Sequence, residues 1–215
     1  YKMNKLLESG LSIIPVGEDK KPLVLWKEFI NRLPRVEEVN IPSWGIGLVC
    51  GKVSGNVEAI DIDVKYATDK DMLSKYRDLV HQQSPGIFNN IVIQKTRSGG
   101  VHLVYRCKTI GGNQKLASRP ATATELVENP GNKCRVLFET RGEGGYIVIS
   151  PSPGYLIHKG SFLEIPEIDE AKRDILLKCA MSFNTYFEKP TTERKYERQR
   201  REHAGISPFD LYNEK

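Results

Sequence analysis

The chain has 215 residues, of which 39% are hydrophobic and 27% charged. That is enough apolar material for one sizeable domain or two small lobes, and it excludes a disordered tail, a collagen-like repeat and a disulfide-stapled mini-protein. The net charge is +5, but residues 189–203 hold six Lys/Arg against three Asp/Glu; the remainder carries 26 against 24, so any phosphate-binding surface has to be a local patch.

In chain order, residues 4–9 read as a short helix stopped by Gly10, and 11–16 (LSIIPV) as a buried strand broken by Pro15. A polar loop over 17–21 leads to Pro22. Residues 44–50 and 57–64 are strand-like runs on either side of a glycine-containing turn. A helix is expected over 69–83, where Met72, Leu73, Tyr76, Leu79 and Val80 recur at helical spacing. Residues 91–94 and 101–106 read as a hairpin across the turn 95–100. The same pattern recurs at 135–139 and 146–150 across Arg141-Gly-Glu-Gly-Gly145, so a second hairpin is expected there. A second helix spans 167–187, and a charged tract follows. The mixture of helices and antiparallel pairs predicts an α+β fold.

Cys50, Cys107, Cys134 and Cys179 are widely scattered, with no Cys-x-x-Cys pair or Cys/His cluster. That spacing argues against structural zinc and for reduced core thiols. No apolar run approaches the roughly 20 residues that span a bilayer, and no signal-peptide core is visible. A cytoplasmic setting without a membrane partner is expected.

Three constellations have the residue types that chemistry needs. In Ala59-Ile-Asp-Ile-Asp-Val64, Asp61 and Asp63 lie two apart on a strand and so project to one side, while Ile60, Ile62 and Val64 take the other. Adjacent carboxylates repel unless a positive partner lies between them, and a divalent cation is the simplest one. In Thr96-Arg-Ser-Gly-Gly-Val-His102, Ser98, Gly99 and Gly100 offer a hydroxyl and approachable backbone amides, and His102 a donor for a phosphate oxygen. In Phe138-Glu-Thr-Arg141, Glu139 ends a strand as the candidate third carboxylate and Arg141 carries a planar cationic fork. Taken singly, each also reads as ordinary strand ends and a hairpin turn.

Their order resembles the primase–polymerase (prim-pol) domains of the archaeo-eukaryotic primase superfamily, as carried by plasmids, phages and other mobile elements. The segments 10–16 (GLSIIPV), Lys20-Lys21-Pro22 with Trp26, 47–51 (GLVCG), Ser54-Gly55 and 144–152 (GGYIVISPS) extend the resemblance over roughly residues 5–158. Glu139 departs from it, since the third acidic position is more usually Asp. The resemblance implies an RRM-like catalytic sheet, an N-terminal α/β lobe, the active site between them and a C-terminal helical extension. The expected division is 1–166 for the two-lobed catalytic domain, 167–188 for a helix packed on it, and 189–215 for a charged linker and the truncated start of a following region, with a helicase-type region further on in a longer replication protein.

The implied activity is template-directed nucleotidyl transfer. Asp61, Asp63 and Glu139 would hold Mg²⁺ or Mn²⁺; Ser98, Gly99, Gly100, His102 and Arg141, with Lys21 and Lys115 as further cations, would hold the NTP or dNTP. Single-stranded DNA would be the template. Two other readings stay open: a nucleotide- or DNA-binding module that has lost catalysis, and a metal-dependent nuclease. For the latter, no His-x-His pair is present to suggest a rolling-circle nickase.

Overall fold

The computed structural model describes residues 2–187; the expected linker and following region at 189–215 lie outside them. Helix α1 (Lys2–Glu8) ends at Gly10, whose φ of +80° places it in the left-handed region expected of a helix stop. Strand β1 (Ile13–Val16) follows directly. Pro15 does not break this strand: β1 is the edge of its sheet, where a missing N–H is tolerated, and the Pro15 carbonyl accepts from the Leu23 N–H at 2.9 Å. A 3₁₀ turn (Lys27–Ile30) and a single-turn helix α2 (Val36–Val39) lead to β2 (Gly45–Val49) and β3 (Val57–Ile62).

Helix α3 (Met72–Gln83) buries Met72, Tyr76 and Val80, four residues apart along one stripe. The predicted hairpin is present as β4 (Val92–Lys95) and β5 (Val101–Arg106), with Gln94 opposite His102. Strand β6 (Gln114–Pro120) and helix α4 (Ala123–Glu128) were not anticipated; β7 (Cys134–Arg141), β8 (Tyr146–Ile149), β9 (Leu156–Lys159) and α5 (Glu170–Met181) complete the fold. The α5 N-cap is Asp169, whose carboxylate accepts from the Lys172 N–H at 2.8 Å.

The strands form two antiparallel sheets, ordered β1-β2-β8 and β6-β7-β3-β5-β4-β9. The second predicted hairpin is therefore corrected. β7 lies between β6 and β3 in the larger sheet, whereas β8 pairs with β2 in the smaller, so the glycine-rich turn carries the chain from one sheet to the other. The fold is mixed α and β with antiparallel sheets, in keeping with the α+β expectation.

Alternation along the central strands makes two cores. Ile60, Ile62, Leu103, Tyr105 and Phe138 face α3 and α5, with Phe138 fully buried 5.1 Å from the Tyr76 ring; a fully buried side chain of this kind contributes about 1.5–3 kcal/mol. The opposite face (Val57, Ala59, Val92, Val104) packs on Leu11, Ile13, Ile46, Leu48, Ile147 and Ile149 of the smaller sheet and its entry. Cys50, Cys107 and Cys179 are buried, Cys134 is half-buried, and all four are free thiols. Among the described residues no helix is long and apolar enough to cross a membrane.

Candidate active site

Strand register assembles the site. Gln94 on β4 faces His102 on β5; His102 faces Asp61 on β3; Asp61 faces Glu139 on β7; and Glu139 faces Lys115 on β6. Directly opposed residues of antiparallel strands share a face. The five side chains thus form one row across five adjacent strands, on the face turned to the smaller sheet. The row joins residues that are up to 78 positions apart in the chain, as Asp61 and Glu139 are.

Asp61 and Asp63 do project together, although β3 ends at Ile62. Asp63 continues the extended backbone and caps the 3₁₀ turn Val64–Tyr66, its Oδ1 accepting from the Lys65 N–H at 2.9 Å. Both aspartates line a cavity of about 380 Å³ shared with Lys20, Ser98, His102, Arg141 and Tyr155, and also a neighbouring cavity of about 300 Å³ with Tyr66, Lys115, Arg135 and Glu139. The carboxylate pair is the boundary between the two.

The two facing carboxylates differ in acidity. Burial pushes Asp61 up, but the His102 imidazole, followed by Arg141 and Lys20, outweighs it and holds Asp61 below its ordinary value. The His102 Nε2 lies 3.4 Å from Asp61 Oδ1. Glu139 moves the other way: burial, together with the charge of Asp61, pushes it up despite the attraction of Arg141, whose Nη2 donates to Glu139 Oε1.

The glycines of the 96–100 turn act on shape. Thr96 and Ser98 line the larger cavity, whereas Gly99 and Gly100 do not. A Cβ on Gly100 would stand 2.3 Å from the Ile62 carbonyl oxygen, so this glycine lets the turn close on the end of β3 beside the aspartates. Lys115 belongs to the smaller cavity, next to Glu139. Lys21 is not brought to the site: it is exposed and pairs with Asp19 at 3.0 Å.

Its neighbour Lys20 lines the larger cavity instead, with Nζ 6.0 Å from the centre of the Tyr155 ring. Its φ is +66°, a left-handed conformation that side chains seldom adopt. The tight turn holds it there: the Lys20 N–H donates to the Gly17 carbonyl, and the Gly17 N–H donates to that of Lys21, both at 2.9 Å. The Tyr146 hydroxyl donates to the Lys20 carbonyl at 3.0 Å, tying the turn to β8. Tyr146, from the segment 144–152, also lines this cavity, as do Asn113 and Tyr155, which carried no sequence signal of their own.

Oxygen donors from Asp61 and Asp63, with no thiol or thioether between them, suit a hard cation such as Mg²⁺ or Mn²⁺. Glu139 is engaged by Arg141, and among the described residues no group of three or more His, Cys, Asp or Glu side chains is arranged to hold a metal ion. Lys20, Arg141 and the hydroxyl of Ser98 line the larger cavity together with the two aspartates, and the half-buried Trp26 and Tyr146, 5.1 Å apart edge to face, give it an aromatic wall.

The family model for the Prim-Pol domain, described as bifunctional DNA primase/polymerase, N-terminal, matches residues 4–168, well over half of the chain. No curated protein matches it.

Proposed function

Because the chain belongs to the Prim-Pol family of bifunctional DNA primase/polymerases, we propose that it carries out template-directed nucleotidyl transfer at the row of residues centred on Asp61. Family membership supports primase/polymerase-type nucleotidyl transfer in general, with DNA and nucleotides as substrates. The finer reading rests on one observation: Asp61 and Asp63 form the common wall of two cavities, one cationic and aromatic, the other lined by Lys115 and Glu139.

In this reading the larger cavity takes the incoming NTP or dNTP, with its triphosphate toward Lys20, Ser98, His102 and Arg141 and its base toward Trp26 and Tyr146. The smaller cavity takes the end that is extended. The 3′-hydroxyl oxygen attacks the α-phosphorus and gives up its proton to solvent water, a new P–O ester bond forms, the bond to the β-phosphate bridging oxygen breaks, and pyrophosphate leaves with that electron pair. Asp61 and Asp63, with Glu139 as a third carboxylate, would hold Mg²⁺ or Mn²⁺, and the cation would supply charge neutralisation for the transfer. The protein's own part is positioning and fixed electrostatics. The RRM-like character of the larger sheet, single-stranded DNA as template and a role in replicating a mobile element belong to the same proposal.

The ion pair between Glu139 and Arg141 favours a second reading, a nucleotide-binding module without catalysis. Incubation with a primed template, Mn²⁺ and dNTPs or NTPs separates the two: extension products support transfer, and nucleotide binding without products supports the module.

A further inference from the structure

Gln94 was not singled out by any sequence motif, yet it is completely buried beside the site and all of its polar atoms are engaged. Its Oε1 accepts from the Ser150 N–H at 2.6 Å, and its Nε2 donates to the Val148 carbonyl at 3.0 Å. Those two partners lie on β8 and just beyond it, in the smaller sheet, so Gln94 spans the gap between the sheets. They also fix the orientation of the amide. Turning it over would set NH₂ against N–H and oxygen against carbonyl, leaving two buried groups unpaired at each end.

The remaining proton of the Gln94 amide points at His102 Nδ1, 2.9 Å away. A donor fixed in that direction needs an acceptor. Nδ1 must therefore present its lone pair, and the ring proton resides on Nε2, the nitrogen that faces Asp61 at 3.4 Å. We infer that Gln94 is a positioning residue that sets the tautomer of His102, so that the imidazole offers the cavity an N–H donor and never a lone pair. With the cavity empty, that donor meets the Asp61 carboxylate. In the loaded site, and here the inference rests on the proposed nucleotide reading, it meets a phosphate oxygen. The opposite tautomer would turn a lone pair toward either anion. A single buried amide thus couples the smaller sheet to the polarity of a side chain on the larger one.

The test is ¹⁵N NMR of the histidine rings of the 215-residue protein at about pH 8, above the ordinary imidazole range, with the His102 signals assigned by their loss in His102→Ala. A protonated Nε2 and bare Nδ1 are expected; the reverse pattern overturns the inference, even if every Gln94 variant fails to fold. In Gln94→Glu the new carboxylate accepts instead of donating, and the proton is expected to move to Nδ1; an unchanged pattern overturns the assignment. Nucleotide titration adds a second readout. Gln94→Met is expected to weaken triphosphate binding roughly tenfold to a hundredfold, the loss of one charge-assisted hydrogen bond, but to cost nothing further in a His102→Ala background. An equal loss in both backgrounds would make Gln94 merely structural. The expected tautomer in a protein that binds no nucleotide would count against the proposed function and leave the Gln94 assignment standing.

Discussion

Asp61 and Glu139 stand directly opposite each other on neighbouring antiparallel strands, and the fold drives their acidities apart. Asp61 is held below its ordinary value, since the effect of burial is overcome by His102, Arg141 and Lys20; Glu139 is raised by burial and by the charge of Asp61. Two facing carboxylates relieve their repulsion when one of them keeps its charge and the other binds protons more readily. Here Asp61 is the charged member. Mutual repulsion between Asp61 and Asp63 is consequently not what governs Asp61, because the neighbouring His102 imidazole and the charges of Arg141 and Lys20 decide the balance.

The signs give opposite expectations for stability. A depressed pKa means that Asp61 contributes stability above its unfolded pKa, and that this contribution is lost as pH falls through the lowered folded pKa. A raised one means that Glu139 contributes below its unfolded value and loses that contribution as pH rises through the folded value. At neutral pH, metal-free Asp61→Asn should melt lower than the parent, and the gap should narrow in acid. Glu139→Gln should melt at or above the parent temperature at neutral pH. Thermal melts from about pH 3 to 8, bracketing the ordinary carboxylate range, check both; a Glu139→Gln protein destabilised at neutral pH would show that the pair with Arg141 outweighs burial.

Lys20 offers a way to separate function from folding. A left-handed non-glycine residue costs about 1–2 kcal/mol and glycine's extra chain entropy about 0.5–1 kcal/mol, so Lys20→Gly should fold with stability within about 1 kcal/mol of the parent. The same change removes a cation from the larger cavity and should weaken triphosphate binding roughly tenfold or more. Lys21→Ala, at an exposed position where the lysine pairs with Asp19, should leave affinity within about twofold. Calorimetric titration of the two variants decides between the neighbours.

Glu58 is fully buried and is gripped by Arg173 through two bonds of 2.6 and 2.9 Å, while the Tyr105 hydroxyl donates to it at 2.7 Å and the Gly111 N–H at 3.2 Å. This network fastens α5 to β3 and to the loop that carries Asn113 to the cavity. Removing one member of a buried pair costs about 3–5 kcal/mol. Arg173→Met should therefore lower the melting temperature by roughly 10 °C in a domain of this size. A shift of only a degree or two would mean that water reaches Glu58 and takes over the role of the guanidinium.

How much of this was legible from the residues depended on range. The β4–β5 hairpin was readable because its alternation and its turn lie within fifteen residues. Asp61, His102 and Glu139 were each visible as chemistry-bearing residues at strand positions, but their alignment in one row depends on register between strands far apart in sequence. The turn at Gly142 misled because a glycine-rich loop between two apolar runs has the same local pattern whether the strands pair or part; β2 claims β8, and β3 with β6 claims β7. Strand β6 escaped notice because it is polar along most of its length and its pairing with β7 shifts register between Lys115 and Ser118. Lys20 and Lys21 are equivalent in the sequence, and the turn that gives Lys20 its φ of +66° and a place in the cavity has no compositional signature.

The most direct test of the account is primer extension with Mn²⁺ and labelled nucleotides, comparing the parent chain with Asp61→Asn, Asp63→Asn and the double variant, all verified as folded by circular dichroism. The parent should extend the primer. Each single variant should lose more than the roughly 10–100-fold that removal of an outer partner of a metal site costs, and the double variant should give no product while still binding DNA. Undiminished extension by the double variant would contradict the assignment of Asp61 as the centre of the site.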